Sequence, residues 1–129
     1  MILTVAAKRE FIPEFNDNKK AIGSEQIKII HRPATINMKE DLFPHEFSYG
    51  ADGKVQGSFT IDKKKTISTF VIELININYK FDGEKDEVKK VKTVDDLFLA
   101  PPEYYPLIDE MYSYFQDMLN NKVNEKNSV

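Results

Sequence analysis

The sequence predicts an α+β fold in which a small antiparallel sheet of hairpins packs against a central helix and a C-terminal helix. Three features predict it: a central stretch whose hydrophobic spacing changes partway, turn dipeptides between strand-like segments, and a long amphipathic stripe near the end of the chain. A length of 129 residues, with 41% hydrophobic and 30% charged residues, is typical of a single globular domain. We expect that domain to span residues 1–122, followed by a flexible tail over residues 123–129.

The central stretch extends from Lys63 to Phe81. In its first part, the apolar residues recur at helical intervals; they are Ile67, Phe70, Val71, Leu74 and Ile75. From Leu74 onward, apolar and polar residues alternate as in a half-buried strand. We therefore predict a helix, with Asp62 as its N-cap, that runs directly into a strand. Because β-branched residues are common in the first part, a single long strand that includes residues 63–74 is the alternative.

Two strands are predicted at the start of the chain. The segments Ile2–Phe11 and Gln26–Arg32 both have strand-like apolar spacing, and Pro33 ends the second because proline cannot donate to a sheet ladder. The intervening Ile12–Lys20 is rich in Asn and Asp and contains a proline, which predicts a loop. We expect the two strands to pair antiparallel across it.

A short helix and a second hairpin follow. The helix is predicted to begin after its N-cap, Thr35, and to end near Leu42. Strands over Glu46–Tyr49 and Val55–Ile61 would then flank the Asp-Gly dipeptide at positions 52 and 53, which is typical of a tight hairpin turn.

The C-terminal third contains a return strand and two helices. We predict that Val88–Lys92 pairs back on Ile75–Phe81, and that Thr93 and Asp96 form a capping box at the start of a brief helix. The last helix is predicted over Glu103–Asn121. Its apolar stripe consists of Leu107, Ile108, Met111, Tyr112, Phe115, Met118 and Leu119. We expect this stripe to pack against the central helix.

Composition argues against several classes of function. The net charge of −3 is not that of a typical nucleic-acid-binding protein. The chain has no cysteine, so it has neither disulfides nor thiolate metal sites, and no apolar run approaches the ~20 residues that span a bilayer. We expect a cytoplasmic protein with no nucleic-acid or membrane partner.

No pattern of catalytic or metal-binding residues is visible. The two histidines, His31 and His45, have no carboxylate at a ligand-like interval, and we expect His31 to be a solvent-facing residue of a strand. The five glycines are scattered as single turn formers rather than grouped in a phosphate-binding loop. We therefore expect no enzymatic activity, no metal and no cofactor.

The aromatic residues are the candidate partner-binding residues. Tyr104, Tyr105 and Tyr114 do not all fit the buried side of the last helix, and Phe43 and Phe47 bracket a proline and a histidine on an expected loop. Exposed aromatic side chains of this kind bind protein partners. A core or intrachain role for the same residues is the alternative.

The order of several short motifs resembles a known family. These motifs are an early Phe-x-Pro, an Arg-Pro-x-Thr, an Asp-Gly after the central strand, a Thr-x-x-Asp-Leu and a final Leu-x-x-Glu. Here the residues are Phe11, Pro13, Arg32, Pro33, Thr35, Asp82, Gly83, Thr93, Asp96, Leu97, Leu107 and Glu110. In this layout the chain resembles the small tail assembly chaperones of long-tailed bacteriophages, from whose pattern the segment Phe43–Thr60 departs.

The resemblance implies a non-enzymatic function in the host cytoplasm. Such chaperones bind the long helical tape-measure protein and keep it soluble while tail-tube subunits polymerise around it. It also implies that the last helix and the exposed tyrosines contact the partner, and it allows a homo-oligomer. A virion structural or head–tail connector subunit, and a phage-encoded inhibitor of a host defence protein, are the alternatives.

Overall fold

The computed structural model describes residues 1–42, 62–83 and 87–120, together with the backbone of residues 47–49 and 55–57. In chain order its elements are β1 (Arg9–Phe11), β2 (Lys28–His31), α1 (Ile36–Leu42), β3 (Phe47–Tyr49), β4 (Val55–Gly57), α2 (Lys63–Phe70), β5 (Val71–Ile75), β6 (Ile77–Tyr79), β7 (Lys89–Val91), α3 (Val94–Phe98) and α4 (Tyr105–Leu119). Two 3₁₀ helices, at Phe15–Lys20 and Pro102–Tyr104, connect them. The fold is α+β with small antiparallel sheets, as predicted.

The main sheet has the strand order β1-β2-β5 and is antiparallel throughout. The predicted pairing of the first two strands is confirmed, with Arg9 opposite His31. The predicted length of the first strand is wrong, because β1 begins at Arg9 rather than at Ile2. Ile2 and Leu3 are 92% and 82% exposed, so the apolar residues before β1 pack against nothing that would hold them in a strand.

The predicted change from helix to strand in the central stretch is confirmed. Helix α2 ends at Phe70 and β5 begins at Val71, so the change comes earlier than the hydrophobic spacing indicates. Val71 is opposite His31 in the main sheet, and this ladder provides the hydrogen bonds that further helical turns would otherwise form. Asp62 is the N-cap, since its carboxylate accepts a 2.9 Å hydrogen bond from the Lys65 N–H.

A single residue separates β5 from β6. Asn76 has a φ of 64°, in the left-handed region that asparagine tolerates better than most residues. Its side-chain amide donates to the Gln26 carbonyl oxygen over 2.9 Å, which ties the bend to the segment before β2. Beyond the bend, β6 pairs antiparallel with β7, with Ile77 opposite Val91, so the predicted return strand is confirmed.

The N-caps predicted for two further helices are confirmed. Thr93 and Asp96 form the predicted capping box at the start of α3. The Met38 N–H donates to Thr35 Oγ1 over 3.2 Å, as expected of an N-cap before α1. Strands β3 and β4 pair antiparallel, as predicted for the second hairpin.

Helix α4 supplies most of one side of the core. Its first regular turn begins at Tyr105, after the 3₁₀ helix, rather than at Glu103. The buried residues of its stripe are Leu107, Ile108, Met111, Phe115, Met118 and Leu119, whereas Tyr112 is half-buried. The ring of Phe115 stacks on that of Phe70 from α2 at 4.7 Å between centroids, so the two helices pack as expected. None of the helices in the described ranges is long and apolar enough to cross a membrane.

Candidate protein-binding surface

The structure places the five predicted partner-binding residues in different environments. Phe43 lies outside the described residues, and Phe47 is described only as backbone in β3. Tyr104, Tyr105 and Tyr114 are described in full, and each has a different set of neighbours.

Tyr114 lies between α4 and the main sheet. Its ring stacks on Phe11 of β1, with the centroids 4.0 Å apart and the planes within 10°. Burial raises the pKa of its phenol. These are the intrachain contacts that the sequence left open as the alternative for this residue.

His31 of β2 contacts Tyr114, and the prediction that His31 faces solvent is wrong. His31 is completely buried rather than solvent-facing. Its ring stands edge-on to the rings of Tyr114 and Phe115, at 5.2 Å and 5.3 Å. The alternation around His31 correctly predicts the strand, but α4 covers the face that carries the histidine.

Tyr105 is 51% exposed at the start of α4. Lys63 of α2 holds it in place, because the Lys63 ammonium donates to the Tyr105 hydroxyl over 3.1 Å and lies 4.8 Å from the ring centre. The same ammonium donates to Asp109 over 2.6 Å, and this hydrogen bond is the largest cause that raises the pKa of Lys63. Tyr105 therefore presents a fixed, partly exposed aromatic ring.

Tyr104 belongs to a continuous series of rings, which we call the aromatic row. It consists of Phe15, Tyr104, Tyr79 and Phe81, with successive centroids 5.5 Å, 6.2 Å and 5.6 Å apart. The Tyr104 hydroxyl donates to the Asn78 carbonyl oxygen over 2.6 Å, which fixes the row to β6. The row begins at Phe15, the first residue of the 3₁₀ helix of residues 15–20, and ends at Phe81, which is 41% exposed.

The end of the aromatic row forms one wall of an open cleft of about 340 Å³, which we call the hairpin cleft. Its apolar lining consists of Tyr79, Phe81, Val91 and Leu99, and its charged lining of Lys89, Lys90 and Asp96. Leu99, which directly follows α3, is 76% exposed. The cleft thus combines exposed apolar side chains with charged residues at its rim, which is the usual composition of a protein-binding surface.

The charges of the hairpin cleft are not equivalent. The Thr93 side chain is the largest cause that lowers the pKa of the Asp96 carboxyl, and the hydrogen bonds that this carboxylate accepts from the N–H groups of Lys92 and Thr93 act in the same direction. Its negative charge is therefore engaged in capping α3. Lys89 lies with its ammonium over the Phe81 ring, 5.0 Å from the ring centre.

Among the described residues there is no group of three or more histidine, aspartate or glutamate side chains that could hold a metal ion. The charged residues that line the cleft are two lysines and a capping aspartate.

The sequence contains only part of the signal for this surface. The alternation of Tyr79 and Phe81 predicts that both lie on one side of the strand, and the predicted return strand brings Lys89 beside them. Leu99 joins them only through the packing of α3 on β7. Comparisons of the chain with protein-family models, with curated proteins and with solved structures found no match.

Proposed function

We propose that this protein is a non-enzymatic tail assembly chaperone of a long-tailed bacteriophage. In this proposal it acts in the cytoplasm of the host cell, where it binds the tape-measure protein while the tail tube assembles and then leaves. The order of motifs in the sequence supports the family. The hairpin cleft is the observation that supports a protein partner, because it exposes Phe81 and Leu99 beside each other on a small domain.

An amphipathic helix is a suitable occupant of such a cleft. Helices bind grooves through apolar residues at i, i+3 or i+4, and i+7, and a volume of about 340 Å³ receives side chains rather than a whole element. One such contact is weak. A tape-measure helix repeats its apolar face over a great length, so many copies of a small chaperone would cover it through modest individual affinities.

The tyrosines predicted from the sequence have separate roles in this proposal. Tyr105 remains a candidate contact residue, since half of it is exposed. Tyr104 supports the cleft through Tyr79 instead of forming its surface. Tyr114 stabilises the packing of α4 on the sheet, and Phe43 and Phe47 remain candidates.

Coexpression with the tape-measure protein encoded in the same phage genome tests the proposal. We expect the two proteins to elute together in size-exclusion chromatography. The double substitution Phe81→Ala and Leu99→Ala should abolish the complex, whereas Ile22→Ala with Ile36→Ala should preserve it. The control pair is 63% and 82% exposed and lies away from the cleft. Phe81 and Leu99 are themselves 41% and 76% exposed, so both double variants should fold.

Mass spectrometry of purified particles separates this proposal from that of a virion subunit. A chaperone leaves before the tail is complete, so the protein should be absent from finished particles. Stoichiometric amounts in the particle, or the lack of any complex with the tape-measure protein, would overturn the proposal.

A further inference from the structure

We propose that the hairpin cleft selects an acidic amphipathic helix, in which carboxylate side chains flank the apolar residues that enter the cleft. This inference rests on the proposed function and specifies the chemistry of the partner segment. It follows from how the lysines of β7 and the exposed apolar residues are placed relative to one another.

The two lysines lie on both sides of the strand that borders the cleft. Lys89 is opposite Tyr79 in the β6–β7 ladder, and Lys90 is opposite Asn78. Consecutive residues of a strand point to opposite faces, so the two ammonium groups bracket β7. Both residues are exposed and line the cleft, so an occupant that contacts β7 would meet two cations along this border.

No described carboxylate neutralises these two cations. The ion pairs among the described residues join Lys19 with Glu14, Lys63 with Asp109 and Lys64 with Asp95, so none of them includes a lysine of the cleft. Asp96 is the one acidic lining residue within the described ranges, and its carboxylate is engaged by backbone N–H groups. The described acidic residues next to the β6–β7 turn, Asp82 and Glu87, do not line the cleft.

The position of Lys89 joins the apolar and the charged part of the site. Its ammonium lies 5.0 Å from the centre of the Phe81 ring, so an apolar side chain placed on Phe81 and Leu99 brings its neighbours next to this cation. A glutamate or aspartate there forms an ion pair at the edge of an apolar contact, where screening by solvent is weaker than on an open surface. A lysine at the same place meets like charge. Apolar burial therefore supplies affinity, and the lysines determine which helix is accepted.

Fluorescence anisotropy with synthetic peptides tests this inference. Three labelled helical peptides would share one apolar stripe of leucines and differ in the residues that flank it, which are glutamate, glutamine or lysine. We expect the full-length protein to bind the glutamate peptide roughly three- to tenfold more tightly than the glutamine peptide, and the lysine peptide most weakly. Raising the ionic strength to about 1 M should remove most of this difference.

A charge reversal in the protein provides the matched control. Lys89→Glu with Lys90→Glu should reverse the order of the glutamate and lysine peptides. Lys8→Glu with Lys39→Glu changes the net charge equally at exposed positions elsewhere and should leave the order unchanged. Equal affinities for the three peptides, or an order that both double variants change alike, would overturn the inference. So would self-association of the protein that Phe81→Ala abolishes, because a second copy would then occupy the cleft.

The two proposals fail in distinguishable ways. If the tape-measure complex forms and needs Phe81 and Leu99 but the peptides show no charge preference, the acidic specificity is wrong and the chaperone function stands. If the peptides show the preference but no complex forms with the tape-measure protein, the site binds acidic helices of another protein and the proposed function is wrong.

Discussion

His31 of β2 and Tyr114 of α4 are joined by a 3.0 Å hydrogen bond between Nε2 and the phenol hydroxyl, although 83 positions separate them in the sequence. The other ring nitrogen, Nδ1, lies 2.9 Å from the Arg32 carbonyl oxygen. A carbonyl oxygen only accepts, so Nδ1 carries the hydrogen and Nε2 accepts from Tyr114. Both nitrogens of this completely buried ring are thus satisfied by the neutral imidazole.

The burial of His31 predicts a loss of stability in mild acid. Desolvation lowers its pKa below the ordinary value of 6.5, and the nearby positive charge of Arg9 acts in the same direction, while the hydrogen bond to the Arg32 carbonyl opposes them. The unfolded chain therefore binds a proton more readily than the folded one. The stability that the neutral His31 imidazole contributes is fully present above the ordinary pKa and is lost as the pH falls below it. We expect the urea midpoint to fall between about pH 7.5 and about pH 5.5.

Removal of the imidazole tests this assignment. His31→Asn should flatten the dependence of the urea midpoint on pH over that interval, whatever its effect on the midpoint itself. Asn37→Ala, at an exposed position of α1, changes no titratable group and should retain the slope. A slope that survives in His31→Asn would show that other groups cause it.

Removal of the Tyr114 hydroxyl should destabilise the fold while the ring remains in place. Tyr114→Phe preserves the stack on Phe11 but leaves the buried Nε2 acceptor of His31 without its donor. An unsatisfied buried acceptor costs about 1–3 kcal/mol, and we expect the free energy of unfolding in urea to fall by about that amount. Tyr112→Phe is the control, because its hydroxyl accepts from Gln116 at a half-buried position and its loss should cost under about 0.5 kcal/mol. Equal effects of the two variants would contradict the prediction.

Glu110 should hold the start of the 3₁₀ helix at residues 15–20. Its two carboxylate oxygens accept from the N–H groups of Glu14 and Phe15, at 2.6 Å and 3.0 Å. Beyond them the backbone of Asn16 and Asp17 is left-handed, with φ of 48° and 57°. Contacts with other parts of the chain, rather than the conformational preference of these residues, therefore hold this segment.

Glu110→Ala is expected to lower the free energy of unfolding by about 2 kcal/mol, since hydrogen bonds to charged groups contribute about 1.5–3 kcal/mol. Amide hydrogen exchange over residues 14–20 should accelerate at the same time. Asp117→Ala changes the same charge at an exposed position of α4 and should do neither. Unchanged exchange in Glu110→Ala would mean that the aromatic contacts of Phe15 suffice to hold the segment.

The bend at Asn76 predicts that glycine destabilises the fold less than alanine there, which is the reverse of the order expected in a regular strand. At a φ of 64°, alanine meets the left-handed penalty of about 1–2 kcal/mol that glycine escapes, and both lose the hydrogen bond to Gln26. We expect Asn76→Ala to cost about 2 kcal/mol and Asn76→Gly about 1 kcal/mol in chemical unfolding. At Asn78, an exposed position of the adjacent β6, glycine should instead cost more than alanine. The same order at both positions would show that the backbone of Asn76 is not constrained.

Much of the fold was predictable because the interactions that form it are close in sequence. The caps at Asp62 and Thr93 each bind an N–H three residues on, and the stripe of α4 repeats with the period of the helix. The end of α2 was misplaced because Val71 and Leu74 continue the helical spacing of α2, while the β-branched residues of the same segment favour the pattern of a strand. Only the ladder between β5 and β2 decides between the two patterns there.

The sequence by itself therefore determined the type and order of the elements, the caps and the apolar stripe that forms the core. The tertiary structure decided that His31 is buried, that Glu110 binds a backbone segment 95 and 96 positions away, and that Leu99 and Lys89 meet Phe81 in one cleft. The reason is physical: secondary structure depends on hydrogen bonds and side-chain periods within a few residues, which a sequence shows directly. Burial and surface composition depend on which distant faces come together, and that is decided when the helices pack on the sheet.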